Sequence, residues 1–220
     1  MLNFFEDAPN IANEDAIRSD LEQYHQEVRE FLPELPKELS IWLSNNHLIT
    51  ETGEGGFAYS PKIMNISFDE TFEDKEKQLA YLKGTFFHEA YHLVQGHTYE
   101  DSNVLRETML DNAIYEGCAT VFEREYADVV PPWGDYSLLD ESQLNSWRDS
   151  MLKISREKYR DVPGLWEKWA FYDDEDNQKW KVYKTGTWIA DMAIRESGVD
   201  ILEMRRMSAA EVLILAGVSI

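Results

Sequence analysis

The sequence predicts an α+β fold, mainly helical, with a small N-terminal β-sheet and a helical C-terminal lobe. Three observations lead there. Alternating, strand-like runs are confined to residues 39–70, and apolar residues recur at helical spacing on both sides of them. The 220 residues are 43% apolar and 13% aromatic, enough to bury a sizeable core and too apolar for a disordered chain. The expected organisation is one domain over 1–220, an α/β lobe over 1–100 leading into a helical lobe over 101–220.

The elements follow in order. Residues 12–31 carry Ile17, Leu21, Tyr24, Val28 and Phe31 at helical spacing, and Pro33 closes the run. "LSIWLS" (39–44) reads as a short strand. "ETGEGG" (51–56) is a turn, and "GFAYSPKIMNISFDE" (56–70) alternates as a hairpin or bent edge strand, with Pro61 suiting an edge. From Lys75 a helix runs to Gly96. Near its end it is apolar almost all round (Leu82, Phe86, Phe87, Ala90, Leu93, Val94), the mark of a buried helix, and Gly96 is a natural stop. A second helix is expected over Val104–Ala127, before "PPWGD", and a third over about 140–160. "YDDEDNQ" (172–178) reads as an acidic, solvated loop, residues 179–197 as a helix, and a last short helix begins near Ser208. There are no internal repeats.

Charge narrows the function. With 42 acidic against 21 basic residues the net charge is −21, which repels phosphate backbones and anionic membranes, so neither nucleic acid nor membrane is an expected partner. The N-terminus lacks a basic stretch followed by a long apolar run, and no segment approaches 18 apolar residues; the tail "VLILAGVSI" is too short to span a bilayer. A cytoplasmic location is the expectation. A single cysteine, Cys118, excludes an internal disulfide framework and reads as a small buried thiol.

The chemistry concentrates in "GTFFHEAYHLVQGH" (84–97), which holds three of the five histidines. His88 and His92 stand four apart, so on a helix both imidazoles point the same way and can serve one ion. Glu89 reaches the same cavity from the side. Zinc lowers the pKa of a bound water towards about 7, and a neighbouring carboxylate can accept its proton and deliver it to a leaving amine. Two unpaired imidazoles on a buried apolar helix would otherwise be costly. Tyr81 and Gly84 precede His88 by two turns and one, and a glycine there admits a close neighbour.

A zinc site of this kind needs a third protein ligand. His97 is one residue short of the H-E-x-x-H-x-x-G-x-x-H spacing. Asp101 and Asp111 have no surrounding pattern. Glu116, in "DNAIYEGCATVFE" (111–123), lies far enough downstream for one helix to end, turn and return antiparallel. Small neighbours, Gly117 and Ala119, would permit close approach to the histidine helix. Glu116 is the favoured ligand.

Here the chain resembles the gluzincin zinc metallopeptidases, and most of all a bacterial family of unknown function described as zinc-dependent proteases. The matching stretches are "HEAYH" (88–92), "EGCATVFE" (116–123), "PW" (132–133) and "YKTG" (183–186), within residues 55–215. The resemblance implies a zincin-like fold with the HExxH helix central, His88, His92 and Glu116 as ligands of a Zn2+ ion, and Glu89 as catalytic base. Many relatives carry an acid four residues after the ligand glutamate, where this chain has Thr120; orienting a histidine ligand would then be weaker or pass to Glu123 or Asn112. By its place in "YKTG", Tyr183 is a candidate donor to a developing oxyanion; a tyrosine packed in a core helix is the alternative, and Tyr115 and Arg195 are weaker candidates. His25 and His47 read as surface or capping residues. The resemblance also implies that the strand within 57–68 is an edge to which an extended peptide can add; from the sequence alone, ordinary structural β is the equal alternative.

The function so implied is peptide-bond hydrolysis by a metal-activated water, on a peptide or protein substrate. The same chemistry serves a non-peptide amide hydrolase. A regulatory or binding module on the same scaffold is the alternative of another class, though such a module has no need of Glu89. A structural zinc site usually has four protein ligands.

Overall fold

The computed structural model describes residues 1–6, 14–100 and 107–218. The candidate Asp101, the expected helix starts at 12 and 104, and the last two residues of the apolar tail lie outside the described residues. The chain is a mixed α+β protein, about half helical, with a small sheet near its N-terminus. It divides into two compact units, Met1–Asp101 with Phe122–Val129, and Ser102–Val121 with Val130–Ile220.

The first unit is built on a four-stranded sheet in the order β1-β2-β4-β3. β1 (Leu2–Glu6) and β2 (Leu39–Ser44) are parallel, as are β2 and β4 (Ile63–Phe68). β3 (Glu54–Ser60) returns antiparallel on β4 as a hairpin and forms an edge of the sheet. Pro61 sits in the hairpin turn, where its missing N–H costs the ladder nothing. The unexpected strand is β1: "LNFFE" has no clean alternation and forms by pairing with β2 from Leu2↔Leu39 to Glu6↔Leu43. Helix α1 (Glu14–Phe31) connects these two parallel strands and buries Ile17, Leu21 and Val28. His25 on α1 is buried, not on the surface; it donates from Nε2 to the Pro36 carbonyl at 2.9 Å and so closes the turn after the helix. His47 is exposed, with φ +58°.

Helix α2 (Lys75–Gln95) belongs wholly to this unit. Asp74 caps its start by accepting from the Lys77 N–H, and Gly96 ends it at φ +78°, a left-handed turn that glycine adopts without strain. Phe86, Phe87, Leu82 and Ala90 are fully buried. At roughly 1.5–3 kcal/mol for each large side chain removed from water, this packing and not helix propensity holds α2 in place.

Helix α3 (Met109–Tyr126) is one unbroken helix; its end from Phe122 belongs to the first unit and the rest to the second. The second unit continues with α4 (Glu141–Leu152), α5 (Arg156–Asp161), α6 (Leu165–Ala170), the two-stranded β5–β6 hairpin (Tyr172–Asp173, Gln178–Lys179), α7 (Lys181–Ser197), α8 (Ile201–Met204) and α9 (Ala209–Leu215). The single helix expected over 140–160 is two, because Ser155 accepts from the Lys158 N–H and starts a new helix. The acidic loop is not wholly solvated either. Asp173 is 4% exposed and is bound by the ammonium of Lys181. Ser208 closes a full capping box with Glu211 at the start of α9. No helix among the described residues is long and apolar enough to cross a membrane.

Candidate metal centre

α2 turns His88 and His92 to one side, both buried, with their Nε2 atoms 3.1 Å apart. Behind them, His88 Nδ1 lies 3.1 Å from Glu123 Oε2 of α3. A carboxylate only accepts, so His88 carries its proton on Nδ1 and presents the Nε2 lone pair. Gly84, one turn before His88, makes this contact possible. A Cβ there would stand 2.6 Å from Glu123 Oε1. The close neighbours that Gly84 admits are therefore this carboxylate and the side chain of Val129.

Aromatic packing fixes α3 in that position. Phe122 stacks on Phe87 at 5.9 Å and packs tilted against Tyr91 at 5.1 Å, which places Glu123, the next residue, against His88. Of the two residues expected to replace the missing acid at 120, the structure uses Glu123. Asn112 donates instead to the carbonyl of Thr108, the residue before its own helix. Thr120 donates to the Glu116 carbonyl, and its methyl lies where a Cβ on Gly134 of the "PPWG" turn would be. Asp111 accepts from the N–H and hydroxyl of Thr108 and serves as a cap.

Seven residues before Glu123, two turns along α3, stands Glu116 on the same face of the helix. His88, His92 and Glu116 each offer a ligand atom, and these atoms lie within 4.8 Å of one another. Among the described residues this is the group of His, Cys, Asp and Glu that can hold a metal ion. The donor set fits zinc: two imidazoles and a carboxylate are ordinary zinc ligands, and bonds of about 2.0–2.1 Å to a tetrahedral ion put two nitrogens roughly 3.3 Å apart. His97 is outside the group, though its ring centroid lies 5.0 Å from that of His92.

The family model described as "Predicted Zn-dependent protease (DUF2268)" matches residues 17–214. The chain belongs to this family. Comparison with curated proteins and with solved structures returned no match.

Glu89, also buried, accepts the Ala58 N–H of edge strand β3 at Oε2, 2.7 Å away. The contact fixes one carboxylate oxygen on the sheet. Near it lies a residue that the sequence does not single out. Glu54, on the same strand, is fully buried and accepts from the Thr52 hydroxyl at 2.8 Å. Burial, and then the nearby charges of Glu123 and Glu89, push its carboxyl up to about 7, against hydrogen bonds from Thr85 and Thr52. Tyr81 is shifted up by burial and by Glu123 and Glu54. The only local hint of Glu54 is an acid between the glycines of "TGEGGF", and glycine-rich turns commonly carry acids.

Gly117 has a different use from the expected one. A Cβ on it would stand 2.0 Å from the Gly186 carbonyl carbon, and one on Gly186 would stand 1.6 Å from the Ala113 oxygen. Two glycines thus let α3 and α7 cross backbone to backbone. Glu116 precedes Gly117, and Tyr183 lies one turn before Gly186 at the start of α7. Tyr159 of α5 is a further hydroxyl that the sequence leaves unmarked; burial and then Glu116 and Glu107 push its pKa up. The weaker candidates are engaged elsewhere: the Tyr115 hydroxyl accepts the Ala209 N–H, and Arg195 pairs with Glu196 on the surface. Cys118 is a buried thiol, pushed up to about 12 by desolvation.

Proposed function

We propose that this protein is a zinc metallopeptidase of gluzincin type, with His88, His92 and Glu116 as ligands and Glu89 as general base. The observation that carries the reading is the convergence of those three ligand atoms, with a buried glutamate on the helix that carries the two histidines. Bound zinc supplies a Lewis acid and a water whose pKa is about 7. Glu89, held through Oε2 by the Ala58 N–H, takes the proton of the attacking water at its other oxygen and hands it to the leaving nitrogen. Glu123 keeps the His88 proton on Nδ1 and so keeps Nε2 facing inward. Tyr183 is the proposed donor to the developing oxyanion. The substrate is a peptide.

Two measurements test this together. Elemental analysis should find about one zinc per chain, since the set offers three protein ligands and leaves one position for water. Glu89→Gln should keep that zinc and its thermal stability while peptide turnover falls at least about 10²-fold, the lower range for general acid–base catalysis. Equal turnover in Glu89→Gln rejects the mechanism, and a chain that takes up no zinc rejects the site.

A further inference from the structure

β3 is an edge of the sheet, yet several of its outward backbone groups are already engaged by the chain itself. The Ala58 N–H donates to Glu89, and the Ala58 carbonyl accepts from the Tyr99 N–H at 2.8 Å. The next carbonyl, of Tyr59, accepts from the Glu100 N–H at 2.9 Å, and at the other end the Glu54 carbonyl accepts from Ile49 at 2.8 Å. Side chains add to these ties. The Tyr99 ring stacks on Tyr59 with centroids 5.9 Å apart and planes at 18°, and lies 6.1 Å from Phe57, while Thr98 is buried. The left-handed turn at Gly96 releases the chain from α2, and Thr98–Glu100 then lies along the strand as a short strap. Between the strap and the Ile49 contact lies Gly56, which by the two-residue alternation turns its N–H and C=O to the same edge.

An extended peptide gains affinity on a sheet edge by pairing with several backbone groups in succession. Here the groups beside Glu89 are taken by Tyr99 and Glu100, and Gly56 alone is a very short stretch to pair with. We propose that the Thr98–Glu100 strap restricts the site to short peptides by occupying the strand edge along which a longer substrate would lie. The proposal rests on the peptidase reading above and adds the substrate class to it. Short peptides reach Glu89 without displacing the strap; long ones must break two backbone hydrogen bonds and an aromatic stack to pair as strands.

The test uses the full-length, zinc-loaded chain and a peptide series of one core sequence, from about three to about twelve residues. In the wild type, kcat/KM should fall about tenfold or more once the peptide outgrows the open stretch, the scale of one or two backbone hydrogen bonds. Tyr99→Ala removes the stack, and Glu100→Pro removes one donor. Each should raise kcat/KM for the long peptides several-fold and leave the short ones unchanged. Amide exchange supplies a readout independent of turnover: the Tyr99 and Glu100 amides should be protected in the wild type, and Tyr99 should lose protection in Glu100→Pro. Turnover that is independent of length, or strap amides exchanging like those of a free peptide, overturns the strap and leaves the peptidase reading standing. Absence of turnover at every length, in wild type and variants alike, overturns both.

Discussion

Two of the buried carboxylates, Glu54 of the first unit and Asp173 of the second, are pushed in opposite directions by their surroundings. Asp173, on the β5–β6 hairpin, meets cations. Lys181 binds it, Lys168 lies 3.4 Å away, and the Glu175 N–H donates to it at 3.0 Å. Burial raises its pKa, and the bond from Lys181 with the backbone N–H and the two ammonium charges more than reverse that, so it stays below the ordinary range. Glu54 meets acids. Burial raises it first, Glu123 and Glu89 add to the rise, and two threonine hydroxyls are all that oppose it. A buried charge with a counter-ion of its own is a finished structural element. Carboxyls gathered around two histidines are suited to a cation that the chain does not itself supply.

The largest effect should come from breaking the finished pair. Lys181 is 3% exposed, also bonds Asp176 at 3.0 Å, and lies 4.3 Å over the Trp169 ring. Lys181→Met keeps much of the volume and leaves Asp173 buried without its closest cation. Removing one partner of a buried pair typically costs about 3–5 kcal/mol. Lys168 still reaches Asp173, so the lower half of that range is expected in urea unfolding at pH 7. Replacing both residues by apolar ones should recover most of the loss. A single variant as stable as the wild type would mean that the two regions do not differ as described.

The next effect has the opposite sign. The Glu54 carboxyl rises from an ordinary 4.5 to about 7, so the native state holds this proton after the unfolded chain has released it. Between about pH 4.5 and pH 7 the native state therefore binds more protons, and stability falls as pH rises through that window. Above it the cost is complete, about 3 kcal/mol at the usual conversion. Glu54→Gln carries no charge and escapes it. Metal-free Glu54→Gln should be more stable than the wild type at pH 8, by up to about that amount, and the advantage should vanish near pH 4. A pH-independent difference would show that Glu54 does not titrate in this window.

These two residues also mark the limit of what the sequence makes legible. The helix at 75–96 is readable because its signals are local: Asp74 at the start, an apolar run in the middle, Gly96 at the end. The grouping of His88, His92 and Glu116 is nearly as readable, since helical periodicity sets where each points and small residues mark where helices meet. Gly117 shows how far that reasoning goes, for it correctly signals a close approach and misnames the partner, which is α7. What escapes is pairing between distant or weakly patterned segments. β1 exists because β2 is beside it, Asp173 is buried because Lys181 folds back on it, and Glu54 matters because the sheet brings it near acids of α2 and α3. The break at Ser155 was available locally, as a serine three residues before the donor it caps, and an uninterrupted polar pattern hides it.

The smallest expected effect is at Glu123, which both adds to the burden on Glu54 and orients His88. Glu123→Gln keeps the size of the side chain and a carbonyl that can accept from His88 Nδ1, and it removes the charge. Residues behind a histidine ligand typically contribute about 10- to 100-fold in metal affinity. Zinc binding, followed by competition with a chelator, should therefore weaken by a factor in the lower part of that range, about 1.4 kcal/mol or somewhat more. Two further readings separate orientation from general damage. Glu54→Gln, which touches no histidine, should leave zinc affinity within a few-fold of wild type. In Glu123→Gln, the Glu54 carboxyl should titrate below its wild-type value, because one of the two acids that raise it is gone. Zinc binding unchanged in Glu123→Gln would reduce the His88–Glu123 bond to packing. A Glu54 titration unchanged by the same substitution would mean that burial alone sets it, and that the acids around the site do not act on one another.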